Sequence, residues 1–76
     1  MAITRLRHLR VLRGLSLREV SAGTGIQASR IGRHERRREE LFPRDRERYG
    51  AFYGVDGGTL ADGDGLAVRV ELSEVQ

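Results

Sequence analysis

The chain has 76 residues, of which 38% are hydrophobic and 33% charged, with no cysteine and a formal net charge of +3. This length has room for one small hydrophobic core, and the lack of cysteine excludes a disulfide scaffold, a thiolate zinc site and a cysteine nucleophile. Its apolar runs are far shorter than the roughly 20 residues that span a bilayer, and no apolar h-region follows the basic N-terminus. We therefore expect a cytoplasmic protein with no membrane partner.

The charge is unevenly distributed along the chain. All 14 basic residues are arginine, and 13 of them lie in the first 55 residues beside six acids. The remaining residues carry one arginine and five acids, so they form an acidic segment. Guanidinium groups bind phosphates and guanine edges with two parallel hydrogen bonds. The basic part therefore favours nucleic acid as a partner.

Two helices are predicted in the first third of the chain. Thr4 can cap a helix over residues 5–13, in which leucines recur at helical spacing and which Gly14 ends. Ser16 and Glu19 have the spacing of a capping box, in which each side chain accepts a hydrogen bond from the free backbone amide of the other residue. This box predicts the start of a short second helix.

A sharp turn and a third helix follow. Two glycines within residues 22–25 break the helical period. A third helix is predicted over about residues 27–37, where a step of 100° per residue places Ile31, His34 and Glu35 on one side. The other side is small, polar and basic, and comprises Ala28, Ser29, Gly32, Arg33 and Arg36.

A charged connector over residues 36–40 leads into a fourth helix. After it, Leu41 and Phe42 are expected to turn inward. Pro43 near the first helical position and acids in the first turn predict a helix that Gly54 terminates. We expect its buried aromatic side chains to be Tyr49, Phe52 and Tyr53.

The C-terminal part changes character twice. Residues 56–65 are rich in glycine and predict irregular structure with one turn around Thr59. The last segment then alternates between apolar and polar residues, which predicts a half-buried β-strand. Its apolar face comprises Leu66, Val68, Val70 and Leu72.

This strand needs a partner, because a lone strand leaves its backbone groups unpaired. The stub Ala2–Thr4 looks too short to cover four apolar positions. We therefore favour pairing with the same strand of a second copy, with an intramolecular sheet and a disordered or helical tail as alternatives. This interpretation divides the chain into a helical domain, residues 1–60, and an acidic dimerisation extension, residues 61–76.

The order of the second helix, turn and third helix is that of a helix-turn-helix, whose second helix lies in the DNA major groove. The residues at 14–21, 24–26, 29–36 and 51–55 resemble those of the Cro and phage-repressor (Xre) family of DNA-binding domains. The resemblance covers about residues 4–60. It implies an all-α fold, a small lambda-repressor-like bundle of four to five helices, and a role in transcriptional control.

The resemblance also assigns roles to individual residues. It places four residues of the third helix at base edges, namely Ala28, Ser29, Gly32 and Arg33. It implies phosphate contacts by Gln27, Arg18, Arg36, Arg37, Arg38 and Arg44. It further implies a structural ion pair between Arg10 and Glu35. An exposed helix face and a solvated loop partly neutralised by Glu39 and Glu40 are the alternative interpretations of these two sets.

Some positions depart from the family pattern. Leu17 occupies the place of a glutamine that often contacts phosphate, and Gly32 lies inside the recognition helix. Arg46 stands where an aliphatic residue is usual, and the usual glycine after the recognition helix is missing.

We therefore predict a sequence-specific, nucleoid-associated DNA-binding regulator that acts as a homodimer on double-stranded DNA. His8 and His34 lie on different helices without a convergent carboxylate cluster, so we expect no metal, cofactor or catalytic site. One alternative is a helix-turn-helix interaction module, an antitoxin or regulatory partner, that binds a protein through residues 56–76. A sequence-neutral nucleic-acid binder that relies on arginine alone is the other.

Overall fold

The fold is mostly helical, with a small sheet that joins the two ends of residues 2–71, the part of the chain that the computed structural model describes. In chain order, the elements of this part are β1 (Ala2–Thr4), α1 (Arg5–Leu12), α2 (Leu17–Thr24), α3 (Ala28–Glu35), α4 (Pro43–Tyr53), a 3₁₀ turn (Gly57–Thr59) and β2 (Arg69–Glu71). The four helices agree with the predicted bundle. Where a fifth helix would begin, the described chain makes the single 3₁₀ turn.

The predicted caps of the first two helices are present. Thr4 Oγ1 accepts a hydrogen bond from a backbone amide in the first turn of α1. Ser16 Oγ accepts from the Glu19 amide at 3.0 Å, and Glu19 Oε1 accepts from the Ser16 amide at 2.8 Å. The second helix continues through the predicted break and ends at Gly25, whose φ of 77° lies in the left-handed region that glycine adopts without strain. The capping bonds of Thr4, Ser16 and Glu19 satisfy backbone amides that the start of a helix otherwise leaves unpaired.

One hydrophobic core lies between the helices. Its buried residues are Leu6, Leu9, Val20, Ile26, Ile31, Leu41, Tyr49, Tyr53, Leu60 and Ala67. Phe52 is only half-buried and packs on the edge of this core. The expectation that Phe42 turns inward is wrong, since Phe42 is 54% exposed. Leu41 enters the core and Phe42 has an extended backbone, so the two successive side chains point to opposite sides.

Strand β2 pairs with β1 of the same chain in an antiparallel register. The described chain therefore contains the intramolecular sheet that the sequence left as an alternative, and residues 2–4 pair with Arg69–Glu71, which include one of the four apolar positions, Val70. Further backbone bonds extend the contact beyond the two strands, since the Arg5 amide donates to the Val68 carbonyl and the Val68 amide donates to the Leu60 carbonyl. Three paired residues suffice to hold β2, because these two additional hydrogen bonds fix the residue just before it.

The predicted dimerisation residues that the structure describes share one degree of burial. Leu66, Val68 and Val70 are half-buried, and Leu72 lies outside the described residues. Between them, Ala67 is completely buried in the core that also contains Leu60. Residues 61–71 therefore pack onto the helical domain. Pairing of this strand with a second copy stays a prediction.

An arginine, Arg37, occupies the left-handed position after α3, where glycine is the usual residue. Arg37 has a φ of 59°, and its amide donates to the His34 carbonyl at 3.1 Å. The Arg38 amide donates to the Arg33 carbonyl at 2.8 Å, which completes the two bonds of a Schellman motif. The third helix therefore ends at Glu35, two residues earlier than predicted.

Candidate nucleic-acid interface

A tight turn fixes the position of α3 relative to α2. Thr24 Oγ1 donates to the Val20 carbonyl at 2.8 Å and accepts from the Ile26 amide at 3.2 Å. The side chains of Val20, Ile26 and Ile31 are all buried in the core. The two helices are therefore held together by both hydrogen bonds and apolar packing, as a helix-turn-helix requires.

The third helix has a buried face and an exposed face, as the sequence predicts. Ile31 and His34 are fully buried, and His34 Nδ1 lies 2.7 Å from Tyr49 Oη in a hydrogen bond. Burial lowers the pKa of His34, with smaller contributions from charged neighbours. Ser29 and Arg33 are exposed on the opposite face. This division places two polar side chains of α3, Ser29 and Arg33, at the surface of the protein.

The other two predicted base-contact residues are less exposed than Ser29 and Arg33. Ala28 is half-buried, and Gly32 is buried. A Cβ at Gly32 would lie 3.5 Å from Arg36 Nη2 and 3.8 Å from Leu17 Cδ1, so these two side chains cover the glycine. Leu17 thus packs beside α3.

An ion pair joins α1 to the end of α3. Arg10 Nε lies 2.8 Å from Glu35 Oε2, and Arg10 Nη2 lies 3.0 Å from Glu35 Oε1. The Glu35 side chain is only 4% exposed, and the hydrogen bond to its carboxylate raises the pKa of Arg10. Thr4 Oγ1 also donates to the Glu35 backbone carbonyl at 2.8 Å. These bonds hold α3 in its orientation.

Arg33 does not extend freely into solvent. Its Nε lies 2.7 Å from Glu39 Oε1, although 44% of its side chain is exposed. The other carboxylate oxygen, Glu39 Oε2, lies 2.8 Å from Arg30 Nε, and Arg30 Nη2 lies 3.0 Å from Asp45 Oδ2. Hydrogen bonds from Arg33 and Arg30 lower the pKa of Glu39 to about 2. Two carboxylates and two arginines thus form one network.

Sequence reasoning missed most of this network. The sequence predicts Glu39 only as a partial neutraliser of the arginine run and predicts no role for Arg30. The sequence predicts Asp45 only as an acid in the first turn of α4, yet Asp45 is buried and also accepts a hydrogen bond from the Phe42 amide at 2.9 Å. The spacing from Arg30 and Arg33 to Glu39 contains no helical signal, because the chain leaves the helix after Glu35.

The predicted phosphate-binding residues fall into two groups. Gln27, Arg18, Arg38 and Arg44 are exposed, and the three arginines have no hydrogen-bond acceptor among the described residues. Arg36 is exposed as well, with its Nε donating to the Gly32 carbonyl at 3.2 Å. Arg37 differs, since its Nη1 lies 2.7 Å from Asp62 Oδ2 and 2.9 Å from the Ala67 carbonyl.

Comparison with known proteins identifies one match. The family model described as a helix-turn-helix domain matches residues 4–62 of the chain, which is more than half of its length. No curated protein and no solved structure matches the chain significantly. Within residues 2–71, no helix is long and apolar enough to cross a membrane, and no three His, Asp or Glu side chains converge on a metal site.

Proposed function

The chain belongs to the helix-turn-helix domain family, and from this membership we propose that it is a sequence-specific transcriptional regulator of the Cro and phage-repressor type. The observation that carries the proposal is the division of α3, whose Ile31 and His34 are fully buried while Ser29 and Arg33 are exposed. The DNA major groove accepts an α-helix and displays a distinct pattern of donors and acceptors for each base pair. The exposed face of α3 is the part of the protein that reads this pattern.

Each proposed base contact has a chemical basis. Arg33 can donate two hydrogen bonds to a guanine edge, and Ser29 can donate to or accept from several base edges. The methyl group of Ala28 can contact the methyl group of thymine. Gly32 has no side chain, so α3 can approach the groove closely once the Arg36 side chain that covers this glycine moves aside.

Phosphate contacts position the helix without adding sequence information. We assign them to Gln27, Arg18, Arg36, Arg38 and Arg44. We remove Arg37 from this set, because its guanidinium already binds Asp62 and the Ala67 carbonyl.

Glu39 competes with DNA for Arg33. Its carboxylate holds the Arg33 guanidinium at 2.7 Å, so a guanine edge must replace this acceptor. The substitution Glu39→Gln removes the charge and keeps the shape of the side chain. We expect several-fold tighter DNA binding, with the largest gain on sequences that lack the preferred base, because Arg33 and Arg30 then become available to any phosphate.

A regulator of this type binds DNA as a homodimer with half-sites about one helical turn apart. Within residues 2–71 the sheet consists of β1 and β2, and we propose that the same strand of a second copy adds beside β2. The predicted contacts are Leu66, Val68, Val70 and Leu72. Sedimentation equilibrium of the full chain, with and without Val70→Arg, tests this part of the proposal.

Selection from a random duplex pool at physiological salt tests the proposal as a whole. We expect the tagged full chain to enrich an inverted repeat, and Arg33→Gln to abolish selection at one base pair of each half-site. Arg48→Gln is the matched control, since it removes one exposed arginine from α4 and should leave the selected sequence unchanged. Lack of any enrichment would contradict the proposal.

The outcome also separates the alternatives. A sequence-neutral binder would lose affinity in Arg33→Gln and in Arg48→Gln alike, with no selected motif in either protein. An interaction module that uses the acidic residues of 56–76 would enrich no duplex at all. Two of these acids already serve the fold, because Asp62 binds Arg37 and Asp56 Oδ1 accepts from the Gly58 amide.

A further inference from the structure

A basic cavity lies where the two ends of the described chain meet. It has a volume of about 300 Å³ and is bounded by β1, the beginning of α1, the residues that follow α3, and β2. None of the residues proposed to contact bases lines it. Its arginines are Arg7, Arg36, Arg37, Arg38 and Arg69.

The antiparallel sheet creates this cavity by bringing together residues that are far apart in sequence. Its register places Arg69 opposite Thr4, at the start of α1. Thr4 Oγ1 donates to the Glu35 carbonyl at 2.8 Å, which holds the end of α3 against the same strand. Arg69 from the acidic part of the chain therefore joins the arginines that follow the recognition helix.

The positive charge of the cavity is largely uncompensated. Glu35 is the one carboxylate among the residues that line it, and Arg10 already binds both of its oxygens. Arg37 is bound by Asp62. Arg7, Arg38 and Arg69 have no acceptor among the described residues, and Arg36 uses only its Nε. Four guanidinium groups therefore face one cavity with most of their donors unused.

We propose that this cavity is a phosphate-binding site formed by Arg7, Arg36, Arg38 and Arg69. Guanidinium groups bind phosphate oxygens through pairs of charge-assisted hydrogen bonds. The cavity also lies at the first residues of α1, where the helix dipole favours negative charge. Bound phosphate would relieve the repulsion between four like charges, which otherwise opposes the compact state.

Two sources can supply the phosphate group. Arg36 lines the cavity and also covers Gly32 on α3, so a DNA phosphate beside the major groove can reach the site. A phosphorylated small molecule is the second source. The DNA source rests on the proposed function, whereas binding of free phosphate does not.

The first experiment uses inorganic phosphate as the probe. The Nε–H signals of the arginines in the full chain are followed by NMR during a phosphate titration. We expect saturable shifts at Arg7, Arg36, Arg38 and Arg69, at least several-fold weaker binding in Arg69→Gln, and partial recovery in Arg69→Lys. Arg48→Gln, an equal change of charge outside the cavity, should bind phosphate as the original chain does.

The second experiment measures DNA affinity against salt concentration. Each phosphate contact contributes about 0.9 to the slope of log affinity against log salt. If DNA supplies the phosphate, Arg69→Gln should lower this slope by about one, and Arg48→Gln should leave it unchanged. A phosphate response with an unchanged slope assigns the site to a small molecule.

The inference is overturned if phosphate shifts none of these arginines and the slope is the same in Arg69→Gln as in the original chain. Thermal unfolding checks that the variants fold, and Arg69 is exposed, so the fold should tolerate its substitution. If the protein enriches no duplex, the proposed function fails, yet the phosphate titration still decides this inference.

Discussion

The helix-turn-helix unit, residues 16–35, and the C-terminal segment, residues 56–71, are held in place by different kinds of contact. Near neighbours set the ends of the first unit, through the capping box of Ser16 and Glu19 and the left-handed turn at Gly25. The second segment depends on distant partners. Arg37 binds Asp62 and the Ala67 carbonyl, the Leu41 amide donates to the Gly65 carbonyl, and β1 pairs with β2.

This difference has a physical basis in how much apolar surface each region buries. Three apolar side chains of the first unit, Val20, Ile26 and Ile31, and the ring of His34 are fully buried. In the described C-terminal segment, only Leu60 and Ala67 are fully buried apolar residues. Hydrogen bonds and the Arg37–Asp62 pair must therefore fix the position of this segment, and we expect it to open before the helices do.

The largest effect is expected where the helix-turn-helix unit itself depends on a distant partner. Glu35→Ala leaves Arg10 without its carboxylate in a mostly buried place, which should lower the free energy of unfolding by about 3–5 kcal/mol. Urea unfolding measures this loss. The double variant Arg10→Met with Glu35→Leu should recover much of it, because it removes both charges. Weaker DNA binding at unchanged stability would contradict the structural role of the pair.

A smaller effect is expected at the link between α3 and the C-terminal segment. Arg37→Ala should cost about 1.5–3 kcal/mol, because it removes charge-assisted hydrogen bonds to Asp62 and the Ala67 carbonyl. Arg37→Gly loses the same bonds but relieves a left-handed backbone, so it should be more stable than Arg37→Ala by about 1 kcal/mol. Arg38→Ala is the control, since its exposed side chain has no partner in the described chain.

Hydrogen exchange separates the two regions in these variants. In Arg37→Ala, protection from exchange should fall most for the amides of Gly65 and Val68, because both amides donate hydrogen bonds within the C-terminal segment. Equal loss of protection in α2 and α3 would show that the two regions unfold together and would remove the distinction between them.

The same difference between near and distant contacts separates the features that the sequence predicted from those that it did not. The four helices, the capping box and the buried side of α3 arise from residues within one or two turns of each other, so spacing was enough to find them. Three other features depend on where the chain turns after α3. They are the bonds of Arg37 to Asp62 and the Ala67 carbonyl, the pairing of β1 with β2, and the Arg33–Glu39 contact. A left-handed arginine at that turn has no sequence signal, because glycine is the residue usually found there.

A buried histidine makes the stability of the helix-turn-helix unit depend on pH. Burial lowers the pKa of His34 in the folded chain, while the unfolded chain titrates near 6.5. Above that pH both states are neutral, and as the pH falls below it the unfolded state takes up the proton first, so folding stability decreases. Asp45, Glu39, Arg30 and Arg33 surround the ring, and the pKa of Glu39, about 2, lies outside this range.

Urea unfolding between pH 5 and pH 8 measures this dependence. His34→Gln should flatten the part of the profile below the unfolded pKa of about 6.5, whereas His8→Gln, on α1, should retain it. An unchanged profile in His34→Gln would assign the pH dependence to other groups.

The smallest expected effect concerns Gly32, where the needs of folding and of DNA binding differ. The nearest atoms to a Cβ at Gly32 lie at 3.5 and 3.8 Å, which is ordinary contact, so Gly32→Ala should stabilise α3 by about 0.5–1 kcal/mol. Gly50→Ala is the contrasting variant in α4, because its Cβ would lie 2.8 Å from the Val55 carbonyl oxygen and should destabilise the fold.

DNA affinity then decides why a glycine stands at position 32. If α3 must approach the major groove closely, Gly32→Ala should bind its selected duplex more weakly although it unfolds at a higher urea concentration. Opposite changes in stability and affinity would place Gly32 in the interface, since a purely structural glycine would move both in one direction. Unchanged affinity would limit the reading face of α3 to Ala28, Ser29 and Arg33.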